Sequence, residues 1–259
     1  MARLNPPIPS FAGQRIWIAG ASTGIGEALA RRLLAAGARV AVSARSADRL
    51  REAYAAYGEQ VLCLPADVTD AAALQQAANA VVAQWGGMDL VIAMAGTYSQ
   101  MRADSFDPEA ARRVVEVNLN GVLNLYGAVH RQLLRQGAGG FAIVASVAGY
   151  GGLPNSMAYG ATKAACINLA QSMWMDLRGH GIAVTVINPG FVRTPLVAEN
   201  RFPMPFIIEP EEAAAKIMQG LARGDFEIHF PRAFSWLLKL INLLPHGLYL
   251  RLVKKGTRM

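Results

Sequence analysis

Tyr159 and Lys163 stand at a spacing that can move a proton. At i and i+4 on a helix they share a face, so an ammonium can sit beside a phenol. A free tyrosine, with a pKa of about 10, is a poor acid–base group near neutral pH. A neighbouring positive charge favours the phenolate. Such pairs are also common on solvated helix faces, and the spacing by itself leaves both readings open. Ser146 ends an apolar run 13 residues before Tyr159, and its hydroxyl can hydrogen-bond a reacting oxygen. Asn118 lies in the middle of a long helical stretch, an odd place for a side chain that competes for backbone hydrogen bonds. There it could hold a water that relays protons. His130, His180, His229 and His246 do not fall at metal spacing with another ligand, and Cys63 and Cys166 sit in apolar runs, so no metal is expected.

A second piece of chemistry lies near the N-terminus. After a short apolar run come Gly20, Ala21, Ser22, Thr23, Gly24, Ile25 and Gly26, followed by a helical pattern. Glycines there let the chain turn tightly and let a pyrophosphate approach, and a helix N-terminus supplies free N–H groups. A tight structural turn is the other reading.

These groups need elements to position them. Apolar runs at 15–19, 39–43, 61–64, 89–93, 140–145, 183–187 and near 226–230 read as strands. Helical spacing fills 24–37, 46–57, 70–85, 108–136, 157–179 and 210–222, with Asp70 just inside one start and Asp107-Pro108 opening another. Continuous apolar strands alternating with helices predict an α/β fold: one doubly wound parallel sheet with helices on both faces, followed by an apolar helical extension. No linker or repeat divides the chain, so residues 1–259 are expected to form one domain. Its core would be about 13–230, its substrate lid about 191–209 and its C-terminal extension about 231–259.

The glycine turn resembles the T-G-x-x-x-G-x-G turn of the short-chain dehydrogenase/reductase family, with Ala19 in place of Thr. The resemblance runs on through most of the chain. Asp67-Val68 looks like the family's adenine-holding pair. Ala93-Met94-Ala95-Gly96 stands where N-N-A-G is usual; Ala95 and Gly96 are kept, and the hydrogen bonds by which the two asparagines steady the central sheet are not expected in that form. Pro189, Gly190, Val192 and Thr194 match the P-G-x-x-x-T segment on the nicotinamide side. Asn118, Ser146, Tyr159 and Lys163 match the catalytic tetrad. The resemblance implies hydride transfer between a nicotinamide and a carbonyl or secondary alcohol, with Tyr159 as acid or base. Ser146 would polarise the substrate oxygen, and Lys163 would lower the Tyr159 pKa and hold the nicotinamide ribose. It also implies a homodimer or homotetramer paired through the long helices, where Ile167, Met173, Trp174 and Leu177 are either a subunit face or core. An NAD-specific member would carry an acid after the second strand; here Ala44 stands there with Arg45 next, so NADP(H) is expected over NAD(H).

Two other functions compete. A non-catalytic dinucleotide sensor would be expected to lose Tyr159 or Lys163, and both are present. An extended-branch epimerase would need a larger substrate domain after Gly190. The expected lid carries Phe191, Leu196, Val197, Phe202, Met204, Phe206, Ile207 and Ile208 against only Arg193, Glu199, Arg201 and Glu209 as charges, which fits either an apolar carbonyl substrate or simple lid packing.

Composition narrows the field. With 53% hydrophobic and 17% charged residues, disorder is excluded as the dominant state. The net charge of +7 lies mostly in the tail: beyond Glu227 come Arg232, Lys239, Arg251, Lys254, Lys255 and Arg258 and no acid. The near-neutral body argues against a nucleic-acid partner. The N-terminus has no apolar signal core and no run is long enough to span a bilayer, so a cytoplasmic protein is expected. In the tail, 233–244 reads as a helix stopped by Pro245, apolar except for a stripe of Ser235, Lys239 and Asn242, and a second apolar piece, 248–253, follows. Such a helix can close over a pocket, bury itself in a partner subunit or lie in a membrane interface. The tail is expected both to wall an apolar pocket and to make peripheral membrane contact.

Overall fold

The apolar runs become strands because both faces of each are covered. The computed structural model describes residues 4–198, 200 and 203–256; Glu199, Arg201, Phe202 and Arg258 therefore lie outside the described residues. Strands β1 (Arg15–Ala19), β2 (Arg39–Ser43), β3 (Val61–Cys63), β4 (Leu90–Ala93), β5 (Gly139–Val144), β6 (Ile182–Pro189) and β7 (Glu227–Phe230) form one parallel sheet in the order β3-β2-β1-β4-β5-β6-β7. The chain winds outward from β1 to β3, then returns to β4. That reversal leaves a crevice beyond the carboxyl ends of β1 and β4, where open α/β sheets bind ligands.

Side chains alternate across the sheet. Ile16 and Ile18 pack towards α1 (Gly24–Ala35), with Leu29, Leu33 and Ile217. Trp17 and Ala19 face the opposite layer of α3 (Ala71–Trp85), α5 (Gly121–Gln136) and α6 (Met157–Leu177). Trp17 is fully buried and its Nε1–H donates to Ser43 Oγ at 2.9 Å, so its one polar atom is satisfied. A ring of about 200 Å² at about 25 cal/mol per Å² contributes at most about 5 kcal/mol. The helices begin where their caps are: Ser46 accepts from Arg49 N–H at the start of α2 (Ala47–Tyr54), and Asp107 accepts from Glu109 and Ala110 N–H at the start of α4 (Pro108–Val115). Asp70 is the N-cap of α3, accepting from Ala73 N–H, rather than a residue inside its first turn.

Three details go beyond the sequence pattern. The stretch 108–136 is helical as expected, but α4 and α5 are joined by a π turn, Glu116–Asn120, in which Asn118 is buried. At the asparagine-poor Ala93-Met94 step the backbone bridges the strands, because Met94 and Ala95 both donate to Ala19 C=O at 2.9 and 2.7 Å. On α6, Met173 and Leu177 are buried in the protein's own core, and Trp174 Nε1–H donates to Leu4 C=O and Asn5 Oδ1, so these side chains are absorbed internally.

The tail follows α7 (Pro210–Arg223) and β7 as two helices, α8 (Arg232–Asn242) and α9 (His246–Gly256), longer in its second part than the apolar piece expected. Ser235 and Lys239 of the polar stripe of α8 face the protein. Ser235 is 0% exposed, and Lys239 pairs with Glu227 of β7. Tyr249 of α9 donates to Gly152 C=O at 2.9 Å.

Candidate active site

Strand ends, a glycine turn and the first turns of α6 converge on one cleft of about 2620 Å³. A site for one small ligand usually holds about 300–1,000 Å³, so this cleft has room for a dinucleotide and a second molecule together.

At one end lies the turn after β1. Gly20 has φ +105, and a Cβ there would run into the backbone of Ala95; a Cβ on Gly26 would collide with Gly20 C=O. The turn is therefore a close-packed cradle that admits no side chain. Thr23 precedes α1 without a side-chain cap on the first-turn N–H groups. Ser22, Thr23, Gly24 and Ile25 line the cleft beside this uncapped helix end. The donor set fits a pyrophosphate. Arg45 lines the cleft beyond Ala44, as does Arg49, which lies in the first turn of α2. Both are exposed. Asp67 Oδ1 accepts from Thr69 N–H and Oγ–H, both at 2.9 Å, and Asn124 donates to Val68 C=O at 3.0 Å; this fixes the loop wall.

At the other end lie the groups that can move a proton. Ser146 follows β5 in extended backbone, accepts from Ala148 N–H at 3.1 Å and donates to Pro189 C=O at 3.3 Å. Tyr159 stands edge-on to Tyr98, with ring centroids 5.1 Å apart. Lys163 is buried; its Nζ donates to Val144 C=O at 2.8 Å and lies 5.6 Å from the centre of the Tyr159 ring. Burial pushes the Tyr159 phenol up to about 12, and the hydrogen bond with Ser146 offsets only part of that. Burial pulls the Lys163 ammonium below its ordinary value.

Asn118 stands one layer behind. It is fully buried; its Oδ1 accepts from Thr97 N–H at 2.8 Å, and its Nδ2 donates to Thr97 C=O at 2.9 Å and to Thr162 Oγ1 at 3.3 Å. It holds Thr97 as a strand neighbour would, and Thr97 in turn lines the cleft beside Ala95 and Gly96. Gly190 N–H donates to Phe230 C=O at 2.7 Å, Val192 bridges Ile208, and Thr194 packs its methyl beside Gly24. The segment 189–194 thus closes over the glycine turn.

The sequence reasoning missed several lining residues. Arg49 had a signal, since it is four residues from Arg45. Tyr98 and Asn155 had none: Asn155 has φ +60, lines the cleft, and has a buried side-chain oxygen with no partner. Behind the site, Glu227 accepts from Tyr150 Oη–H at 2.7 Å, from Asn188 Nδ2 at 2.8 Å and from Lys239. The apolar end of the cleft is walled by Phe191, Leu196 and Phe206 of the lid and by Phe234, Leu238 and Ile241 of α8, with Phe191 stacked on Phe234 at 5.8 Å.

Comparison with known proteins accords with this geometry. The family model for short chain dehydrogenase matches residues 14–203. An uncharacterized oxidoreductase of Myxococcus xanthus is 36% identical over 235 residues, 90% of this chain and 93% of that one. Cis-4-hydroxycyclohexanecarboxylate dehydrogenase of Sinomonas cyclohexanicum is 33% identical over 80% of this chain and 89% of its own. The crystal structure of 3-ketoacyl-(acyl-carrier-protein) reductase from Brucella melitensis complexed with NADH superposes with a TM-score of 0.77 at 27% identity, over 86% of this chain and 100% of that one.

Proposed function

The chain belongs to the short-chain dehydrogenase family, and from that premise we propose that it is an NADPH-preferring oxidoreductase acting on the carbonyl or secondary alcohol of an apolar substrate, with Tyr159 as its acid and base. One observation carries the reading: Ser146 and Tyr159 share a single cleft with an uncapped glycine turn and two arginines. In this reading the turn from Gly20 to Gly26 holds the pyrophosphate, Asp67 and Val68 flank the adenine, and Ala95, Gly96 and the segment 189–194 bound the nicotinamide side. Bound nicotinamide supplies the hydride, or takes it up in the reverse direction. Arg45, joined by Arg49, faces a ribose 2′-phosphate.

The chain's own residues handle the oxygen and its proton. Ser146 swings its hydroxyl from Pro189 C=O to the substrate oxygen and polarises it. Tyr159 gives its phenolic proton to that oxygen as the carbonyl is reduced. A phenol that burial keeps protonated at neutral pH carries the proton the donor step needs, while the reverse step needs the phenolate. The buried Lys163 amine and Asn118, through Thr97, keep α6 and the loop after β4 in place around it. Phe191, Phe206 and Phe234 support a substrate with an apolar body, such as a fatty-acyl, steroid, sphingoid or aromatic ketone. Homo-oligomerisation through the long helices belongs to the same reading, and the exposed Leu123 of α5 and Met175 of α6 support it.

Tyr159→Phe tests the assignment. The ring keeps its contact with Tyr98, so NADPH binding and melting temperature should stay near those of the parent. Turnover of a panel of ketones of graded chain length, followed by NADPH oxidation, should fall by about 10²–10⁴-fold, the usual worth of a positioned acid. Turnover within tenfold of the parent would remove Tyr159 from the reaction.

A further inference from the structure

We propose that the outer face of α8 and α9 docks on an anionic lipid surface and lays the apolar mouth of the cleft against it. The argument begins with how α8 is turned. At 100° per residue its side chains fall into three stripes. Ser235 and Lys239 point to the body of the protein, and Asn242, at the end of the same stripe, is exposed with its Oδ1 near Gly151. Phe234, Leu238 and Ile241 line the cleft. Trp236, Leu240 and Leu243 point outward, with Trp236 53% and Leu243 81% exposed.

This orientation is pinned by polar bonds. Ser235 Oγ pairs with His229 Nδ1 of β7 at 2.6 Å. Lys239 pairs with Glu227, which Tyr150 and Asn188 also bind. The helix therefore cannot roll its leucines inward without breaking a half-buried ion pair. Ordinary surface helices do the reverse and bury the apolar stripe. On α9, Tyr249 and Val253 are buried while Leu248 and Leu250 are exposed.

Charge selects the occupant. Lys239 is matched by Glu227, the last acid in the chain. Of the remaining cations of the two helices, Arg232, Arg251 and Lys255 are exposed and meet no acid within α8 or α9. An apolar helix face flanked by cations alone suits the headgroup region of an anionic bilayer. The same cations would repel their equivalents on a second copy packed face to face. Each helix is 11 residues, about 16 Å at 1.5 Å per residue, too short to cross, and among the described residues no helix is long and apolar enough to do so. Because α8 also walls the cleft, docking would open the apolar end of the cleft to molecules already in the lipid. That last step rests on reading the cleft as the active site; docking itself does not.

The experiment is co-sedimentation of the full chain with phosphatidylcholine vesicles, with and without phosphatidylserine, at low and high salt, alongside sedimentation analysis of oligomeric state. The expected result is binding to the anionic vesicles that weakens as salt rises. It should fall at least about tenfold in the double variant Leu240→Glu, Leu243→Glu, as expected when two charges enter an apolar contact. Neither residue lines the cleft, and both side chains are exposed, so melting temperature and NADPH binding serve as folding controls. No binding of the parent to anionic vesicles at low salt, or equal binding by the folded double variant, overturns the proposal. So does a parent dimer that the double variant dissolves while vesicle binding is absent, which would assign the face to a second copy. Vesicle binding is read without turnover, so docking and the enzymatic reading can fail separately.

Discussion

Arg45 and Arg49 give a test of cofactor choice that needs no knowledge of the substrate. Arg45 lies between β2 and the cap of α2, and Arg49 one turn into that helix; both line the nucleotide end of the cleft. Arg45→Ala removes a guanidinium and nothing that holds the fold. Arg49→Ala leaves the backbone N–H that caps on Ser46 Oγ at 3.3 Å, so α2 keeps its start. A charge-assisted hydrogen bond contributes about 1.5–3 kcal/mol, which is about 10–150-fold in a dissociation constant. Both side chains are exposed and screened, which places each single variant near the low end, about tenfold weaker for NADPH. The two would grip one phosphate, so the double variant should lose less than the product of the singles. NADH has no 2′-phosphate, so its affinity should move by less than about twofold. Calorimetric titration at fixed ionic strength measures both, and the NADPH advantage should shrink as salt rises. Equal losses for NADH and NADPH would show that the arginines act on something other than the 2′-phosphate. A parent protein that binds NADH at least as tightly as NADPH would refute the reasoning outright.

Two further outcomes concern protonation. Because burial holds the Tyr159 phenol far above neutrality, carbonyl reduction should stay flat from about pH 6 to 9. Alcohol oxidation, which needs the phenolate, should climb over the same range, and a reduction rate that falls through neutral pH would contradict the assignment. For Glu227, burial raises the carboxyl, but the hydrogen bond from Lys239 and then that from Tyr150 more than reverse this and hold it below the ordinary value. A depressed carboxyl stabilises the fold above its unfolded pKa of about 4.3 and loses that contribution as pH falls through the lower folded value. Glu227→Gln should therefore lower the melting temperature at pH 7 and make little difference in acid, as scanning calorimetry of both proteins across pH would show.

The fold was legible because parallel strands buried on both faces announce themselves as apolar runs, and each run found here is a strand within a residue or two of where the pattern placed it. What stayed hidden depended on contacts distant in the chain. The π turn at Glu116–Asn120 exists around a pair of bonds from Asn118 to Thr97, 21 residues earlier, and nothing in the local period marks it. The stripe of Ser235, Lys239 and Asn242 was visible, but a stripe does not say which way it is turned. A helix with few polar residues ordinarily sends them to water; here Glu227, already half-enclosed by Tyr150 and Asn188, draws Lys239 inward and turns the leucines out.

The pair of Tyr159 and Lys163 shows the same limit most sharply. A tyrosine and a lysine four apart look identical in sequence whether they sit on a solvated face or at the floor of a cleft. Their chemistry differs entirely between the two, because an amine 4% exposed and bonded to Val144 C=O has given up water while the phenol beside it has been raised to about 12. In water the pair would be an ordinary surface contact worth a few tenths of a kcal/mol. Here Val144 C=O holds the buried Lys163 Nζ at 2.8 Å while Tyr159 lines the cleft beside Ser146, and that placement, rather than the spacing, sets the pair apart from a surface contact.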